Sequence, residues 1–389
     1  MKLKTIKNAV LAVTMAVTLG FSGAGNQSQV ANAAEQPELK IKKVLTLPEG
    51  VKTPDVNFEF DFNKESLNGN KDEKNINDMP EIKGIIVNYQ TSQDKTNSNG
   101  ELVKETTNIL SNLKFPTSGQ YVYTVQEKND KKEFMTYSKV KYRLSLFVSK
   151  EGNEFKVTNI LIAQIINEKG EEVLSPEKEE YTSDLSTNKF VFKNNYNRVD
   201  GNDTPSGKDI TIEDKKGFVL KKNVSGEVSN KAADFTFKLK VIKPSNAKDQ
   251  LNSFKYYIVS NEGTVKKEDT KNYDEDFDIT LKHNERVVFG KVLLGSKVSV
   301  EETDSQGYTP SIDNGLLNGQ QVSTVENLKN GMIIGDEGEN FVEFKNTQQT
   351  PTGILLNNLP FITLALLAAT GIFFFIKNRD EDEEEELEA

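Results

Sequence analysis

The sequence predicts an all-β fold made of two tandem β-sandwich domains, with a signal peptide before them and a membrane-spanning segment after them. Short runs of alternating polar and apolar residues, rich in aromatic side chains, recur along the chain between clusters of Gly, Asn, Asp, Pro and Ser. This spacing is typical of the strands of a sandwich. A polar linker divides the runs into two sets, and the second set repeats features of the first in the same order, which indicates a tandem duplication.

Residues 1–33 have the features of a secretory signal peptide. A basic start precedes an apolar stretch over residues 9–21, and the small residues Ala31 and Ala33 form a cleavage site. We therefore expect the mature protein to be exported and to begin at Ala34. The alternative, an uncleaved membrane anchor, is less favoured because the apolar stretch is short for a helix that spans a bilayer.

The chain between its two ends divides at the linker. We expect a first domain over residues 34–197, a linker over 198–210 and a second domain over 211–347, followed by a C-terminal segment over 348–389. Each predicted domain begins with an apolar strand that carries a Lys-Lys pair, places an aromatic strand after it and closes on Phe-Lys-Asn. Two β-domains fit this length.

The composition excludes several classes of site. The 389-residue chain has a formal charge of −10, no Cys, no Trp and one His. An acidic exported body argues against nucleic acid as a partner. A chain without Cys has no disulfides, cysteine nucleophiles or thiolate metal sites, and a single His makes a conventional hydrolase a poor interpretation. We therefore expect neither a metal nor a cofactor.

Polar side chains stand on the apolar face of their strands in both predicted domains. Because side chains alternate between the two faces of a strand, Lys43 shares a face with Ile41 and Leu45 and should be buried. The same alternation turns a glutamate and an asparagine inward later in the domain, and all three residue types recur in the second domain. The two sets are Lys43, Glu127 and Asn194 in the first domain and Lys222, Glu302 and Asn346 in the second.

A buried lysine, glutamate and asparagine are the reagents for an intramolecular amide bond. Burial disfavours the ammonium form of the lysine and the ionised form of the glutamate, so the amine becomes a nucleophile and the carboxyl keeps its proton. The carboxyl can then donate to the asparagine carbonyl, polarise it for attack, and carry a proton to the departing ammonia. Glu127 and Glu302 are therefore the expected promoting acids.

For one set alone, a buried Lys-Glu ion pair that is hydrogen-bonded to Asn is an equally good interpretation. Two copies at matching places, in an exported chain without disulfides, favour the covalent one. The bonds would join the first strand of each domain to its last. By analogy with disulfides, each could stabilise its domain by about 4 to 5 kcal/mol.

A second apolar segment, over residues 354–376, lies near the C-terminus and is long enough to span a bilayer. Lys377 and Arg379 follow it as the positive charges expected on the cytoplasmic side. An acidic run completes the charged tail, residues 377–389, and contributes little to orientation.

The residues directly before this apolar segment look like a sortase sorting signal. They are Gln349, Thr350, Pro351, Thr352 and Gly353. Together with the two Lys-Glu-Asn sets, they make the chain resemble the sortase-assembled backbone pilins of Gram-positive bacteria, most closely the streptococcal T-antigen type. The most specific matching segments are residues 39–43, 119–127 and 221–226 and the two Phe-Lys-Asn closures. The resemblance implies two immunoglobulin-like domains, each with one Lys-Asn isopeptide bond promoted by an acidic residue.

The sorting motif departs from the general Leu-Pro-x-Thr-Gly form, because Gln349 replaces Leu and the proline stands one place later. T-antigen pilins share this arrangement, which implies a dedicated pilus sortase. The resemblance implies cleavage between Thr352 and Gly353 and transfer of the Thr352 carboxyl to a lysine of the next subunit. In the family that lysine lies just before the strand that carries the first-domain Asn.

That position indicates Lys189 as the acceptor in this chain, with Lys178 as the alternative. A merely solvated lysine is an equally good interpretation of Lys189. The resemblance as a whole implies a structural subunit that a sortase polymerises head-to-tail into a covalent surface pilus anchored to peptidoglycan. Identical subunits, the pilus sortase, minor pilins and host-surface ligands are the implied partners. The alternative function is a monomeric, wall-anchored adhesin with stalk-like β-domains.

Overall fold

The fold is almost entirely β-structure, as the sequence predicts. The computed structural model describes residues 37–247, 251–348 and 359–388, with side chains of the last segment described as far as residue 373. The predicted signal peptide, residues 1–33, and the predicted sorting motif, residues 349–353, lie outside these ranges and stay predictions.

The N-terminal half forms two sheets whose strands are far apart in sequence. One sheet has the strand order β4-β1-β10-β6, and the other has the order β3-β2-β5-β7-β8-β9. These strands are β1 (Lys42–Thr46), β2 (Val56–Leu67), β3 (Ile85–Tyr89), β4 (Glu101–Glu105), β5 (Gly119–Glu127), β6 (Met135–Thr136), β7 (Lys141–Glu151), β8 (Glu154–Ile166), β9 (Glu179–Glu180) and β10 (Val191–Tyr196).

The C-terminal half also forms two sheets, of orders β15-β14-β17-β12-β23-β20-β21 and β16-β13-β19-β22, and a small ribbon pairs β11 with β18. The strands are β11 (Val199–Asp200), β12 (Val219–Ser225), β13 (Phe235–Ile242), β14 (Ser253–Val259), β15 (Val265–Asn272), β16 (Asp276–Leu281), β17 (Arg286–Phe289), β18 (Val292–Leu293), β19 (Lys297–Asp304), β20 (Thr309–Leu317), β21 (Gln320–Gln321), β22 (Met332–Ile333) and β23 (Phe341–Thr347).

In each half the first and last long strands are parallel neighbours in one sheet. Strand β1 pairs with β10 so that Lys43 stands opposite Phe192, two residues before Asn194. Strand β12 pairs with β23 in the same register, with Lys222 opposite Phe344, two residues before Asn346. Because side chains two apart share a face of a strand, each lysine and its asparagine point into the same core.

Aromatic side chains join the two sheets of each half across that core. Phe60 on β2 lies 5.0 Å from Phe192 on β10, measured between ring centroids, and Phe237 on β13 lies 5.1 Å from Phe344 on β23. All four rings are buried. The two halves therefore use the same aromatic contact beside the same pair of strands, and both have the layered structure of a sandwich.

Three α-helices occur among the described residues, and the strand pattern does not predict the first two. They are α1 (Glu73–Asp78), α2 (Val325–Asn330) and α3 (Leu359–Glu388). Helix α2 begins with a capping box, in which Thr324 and Asn327 satisfy each other's backbone amides. Among the described residues, no helix is both long enough and apolar enough to cross a membrane. The predicted span over residues 354–376 falls only partly in that portion.

The linker between the sandwiches is held along its length. Arg198 pairs with Asp336 of the C-terminal half at 2.8 Å, and Asp336 also accepts a hydrogen bond from the backbone amide of Lys52 at 2.7 Å. Further along, the guanidinium of Arg286 donates to the carbonyl oxygens of Gly207 and Lys208 at 2.9 and 3.2 Å. The linker is therefore part of the fold rather than a free tether.

Arg286 is fully buried and lies 3.6 Å from the equally buried carboxylate of Asp214. We predict that Arg286→Met lowers the free energy of unfolding by about 3 to 5 kcal/mol, because it leaves a buried carboxylate and several carbonyls without their charged donor. Urea unfolding followed by tyrosine fluorescence measures this, since the chain has no Trp. Lys255→Met, which removes an exposed ion pair with Glu268, is the control and should leave stability almost unchanged, because water screens exposed ion pairs. Equal effects of the two substitutions would contradict the prediction.

Candidate functional site

The first set of polar residues meets between the two N-terminal sheets. Lys43 comes from β1, Asn194 from β10 and Glu127 from the end of β5 in the facing sheet. The Lys43 Nζ lies 2.8 Å from Glu127 Oε2, and the Asn194 Nδ2 donates to Glu127 Oε1 at 2.6 Å. The side chains of Lys43 and Glu127 are 0% exposed. The glutamate therefore holds the lysine and the asparagine at once.

The surroundings of this triad are aromatic. The Lys43 Nζ lies 4.1 Å above the centre of the Phe58 ring, and the rings of Phe60 and Phe192 pack beside it on β2 and β10. A ring face attracts a cation but offers no acceptor for its protons. The amine thus has one strong hydrogen-bond partner, Glu127, in a site that excludes bulk water.

Burial shifts the pKa values of both ionisable groups toward their neutral forms. Desolvation lowers the pKa of Lys43 to about 8, although the Glu127 carboxylate acts in the opposite direction. Desolvation likewise raises the pKa of Glu127. Because the two shifts converge, moving a proton from the ammonium to the carboxylate costs much less here than in water. A neutral amine and a carboxylic acid are the forms that amide formation requires.

The orientation of the Asn194 amide differs from the one expected from the sequence. The expectation was a bond from the glutamic acid to the amide carbonyl, whereas here Glu127 accepts from the amide nitrogen. The carbonyl oxygen, Oδ1, instead accepts from the backbone amide of Ser138 at 2.9 Å. This places the carboxyl next to the nitrogen that amide formation would release as ammonia. Ser138 lies in the irregular segment between β6 and β7 and carries no pattern that could have marked it.

The second triad repeats the first between the C-terminal sheets. The Lys222 Nζ lies 2.6 Å from Glu302 Oε1, which also accepts from Asn346 Nδ2 at 3.0 Å. Burial lowers the pKa of Lys222 to about 8 and raises the pKa of Glu302. Three rings enclose the lysine Nζ, those of Phe235 at 4.2 Å, Phe344 at 4.8 Å and Phe237 at 5.2 Å.

The two triads differ in how their amide oxygens are held. Asn194 Oδ1 has the Ser138 amide as a donor. Asn346 Oδ1 and Glu302 Oε2 are buried atoms to which no group within the described residues is hydrogen-bonded.

The two candidate acceptor lysines lie on the surface of the N-terminal half, apart from both triads. Lys189 precedes β10, is 68% exposed in its side chain, and forms an ion pair with Glu179 at 2.5 Å. It lines a groove of about 320 Å³ with Glu177 and Glu179. Lys178 is also exposed and borders the adjoining groove, which Lys189 shares. Both amines are open to another macromolecule.

The described residues offer no evident metal centre, since no three His, Asp or Glu side chains among them are grouped closely enough to hold an ion. The site chemistry that the described part of the chain presents is that of amines, carboxyls and amides.

Two family models match parts of the chain. Residues 39–197 match the family described as a Spy0128-like isopeptide containing domain, and residues 216–348 match a domain of unknown function (DUF7601). A curated pilin from Streptococcus pyogenes serotype M1 is 23% identical over 180 residues, which cover 43% of this chain and 50% of the relative. The match thus spans half the length of that relative. These sequence matches confirm the resemblance to streptococcal major pilins.

Solved structures of streptococcal pilins align with the chain along most of its length. The major pilin of Streptococcus pyogenes is 19% identical, with 81% of this chain and 99% of that chain covered and a TM-score of 0.34. The T3.2 major pilin of the same organism is also 19% identical, with 80% and 98% covered and a TM-score of 0.32.

The triads predict a covalent product that mass spectrometry can count. The intact mass of recombinant residues 34–352 should be lower than the mass calculated from their sequence by two molecules of ammonia. Glu127→Ala and Glu302→Ala should each restore one, because each removes the carboxyl that contacts its amine.

Glu301→Ala is the matched control, because Glu301 is the neighbour of Glu302 on β19 but faces solvent and pairs with Lys329. It should leave both deficits in place. An intact wild-type mass equal to the sequence mass would mean that the triads are ion pairs only.

Proposed function

We propose that this protein is the backbone subunit of a covalent cell-surface pilus, because its residues 39–197 match the Spy0128-like isopeptide containing domain and the chain is similar to a streptococcal pilin. Its role is structural, and its only chemistry is a single turnover within each immunoglobulin-like sandwich. The observation that carries the proposal is the repeated triad. Lysine, glutamate and asparagine meet in both halves, and the lysine and asparagine lie on corresponding strands that pair in the same register.

Each triad forms one isopeptide bond, between Lys43 and Asn194 and between Lys222 and Asn346. The convergent pKa shifts and the contacts of 2.6 to 3.0 Å around each glutamate support this assignment. Three side chains held at contact distance react as if at very high local concentration. Glu127 and Glu302 act as proton carriers, which is why no cofactor is needed.

The location of the bonds suits a chain that is pulled from its ends. In both sandwiches the first and last strands are parallel neighbours, so tension shears the hydrogen bonds between them. A covalent bond between those two strands carries the load before any hydrogen bond breaks. The residues between the joined strands are then shielded from force, and each sandwich stays folded under tension.

The bonds between subunits are of the same chemical type but need an enzyme. In this proposal residues 1–33 direct export, a pilus sortase cleaves after Thr352, and the Thr352 carboxyl is joined to Lys189 of the next subunit. This head-to-tail contact is heterologous and does not close, so it produces a fibre. The last subunit is transferred to peptidoglycan, and minor pilins and host-surface ligands are further partners.

The exposure of Lys189 and its place in a groove support its role as acceptor. We predict that, in cells that carry the pilus sortase, Lys189→Ala abolishes the high-molecular-weight ladder that survives boiling in detergent. The reason is that the Thr352 acyl group carried by the sortase then has no lysine amine to accept it. Immunoblotting of wall extracts measures the ladder.

The matched control is Lys193→Ala, because Lys193 is an exposed lysine four residues further on, within β10. It should leave the ladder unchanged. A ladder that persists in Lys189→Ala but disappears in Lys178→Ala would move the acceptor to Lys178. A single band from the wild-type chain would favour the monomeric adhesin instead.

A further inference from the structure

In both triads the glutamate contacts the lysine and the asparagine, through two oxygens in Glu127 and through Oε1 alone in Glu302. The triads also differ at the amide oxygen. Asn194 Oδ1 accepts a hydrogen bond from the Ser138 backbone amide at 2.9 Å. In the second sandwich, Asn346 Oδ1 is buried and no donor among the described residues reaches it. The difference lies on an atom that takes part in the proposed reaction.

That oxygen is where charge develops. A proton first moves from the lysine ammonium to the glutamate carboxylate, and the neutral Nζ then attacks Cγ of the asparagine. The new Nζ–Cγ bond turns the carbonyl into a tetrahedral oxyanion. The glutamic acid gives its proton to Nδ2 and takes one from Nζ, the Cγ–Nδ2 bond breaks, and ammonia leaves. The product is a secondary amide and the glutamate is regenerated as a carboxylate, because the proton from Nζ leaves it when the ammonia is protonated in solvent.

We propose that the backbone amide of Ser138 is an oxyanion donor for the Lys43–Asn194 bond, and that this bond consequently forms faster than the Lys222–Asn346 bond. This inference rests on the proposed isopeptide chemistry and adds a catalytic group to one of the two sites. A fixed donor aimed at the developing charge lowers the barrier without reorganising during the reaction. The second site has the nucleophile and the acid but not this donor.

The Ser138 amide is well suited to the role because it is held in place and not otherwise engaged. It lies outside the strand ladders, between β6 and β7. Its neighbours Tyr137 and Val140 are buried, at 9% and 1% exposure, and anchor the segment on both sides. The serine hydroxyl accepts a long hydrogen bond from the Val140 backbone amide at 3.4 Å, whereas the donor to Asn194 is the peptide N–H.

The test separates the peptide N–H from the side chain. Ser138→Pro removes the N–H, whereas Ser138→Ala keeps it. The full-length chain is made in a cell-free system, translation is stopped, and samples are quenched over time and digested. The two crosslinked peptides are then quantified by mass spectrometry, so that the C-terminal bond serves as an internal reference within each molecule.

We expect Ser138→Pro to slow formation of the Lys43–Asn194 bond by about 10²- to 10³-fold, the usual effect of removing one oxyanion donor. The Lys222–Asn346 rate should not change, and Ser138→Ala should match the wild type at both sites. A Lys43–Asn194 rate in Ser138→Pro that equals the wild-type rate would overturn the inference.

The wild-type chain supplies a second measurement that does not depend on how the proline is tolerated. There the Lys43–Asn194 rate constant should exceed the Lys222–Asn346 rate constant by about tenfold or more. Equal or reversed rate constants also refute the inference while leaving both bonds in place. Absence of both crosslinks in the wild type would instead refute the proposed function itself.

Discussion

An ammonium and a carboxylate that share a dry site are the constraint around which each sandwich is organised. Removing two charges from water costs several kcal/mol for each ion, and only close contact with each other and with a third polar group offsets that cost. Lys43, Glu127 and Asn194 meet this condition because parallel pairing of β1 and β10 aligns two of them, and the facing sheet supplies the third. The strand register brings the three side chains together, and the surrounding aromatic rings keep water away from them.

Some contacts of the triad are common to the two halves, and others differ. The register between first and last strands, the facing phenylalanines and a glutamate that contacts both lysine and asparagine are common to both. The group that contacts the asparagine carbonyl is not. Without the retained features, buried charges would be left unpaired. A missing donor at a neutral carbonyl destabilises the folded state much less.

Local periodicity was sufficient to predict the strands that carry the two triads and the inward direction of Lys43 and Lys222, because alternation along a strand does not depend on the rest of the fold. It could not predict the Ser138 contact, which is made by a backbone atom of an irregular segment. It also missed Arg286, since every residue of β17 is buried and the strand has no polar face to reveal the exception. Helix α2 was readable in principle from its capping pair, Thr324 and Asn327.

The held linker has a consequence for the elasticity of the proposed fibre. Because Asp336 of the C-terminal half binds both Arg198 of the linker and the backbone amide of Lys52 in the N-terminal half, thermal bending at that joint is restrained. A filament of such subunits would therefore not be a chain of evenly spaced hinges. Its compliance would be concentrated at the junction between one molecule and the next, so the spacing of its flexible points would be two sandwiches rather than one.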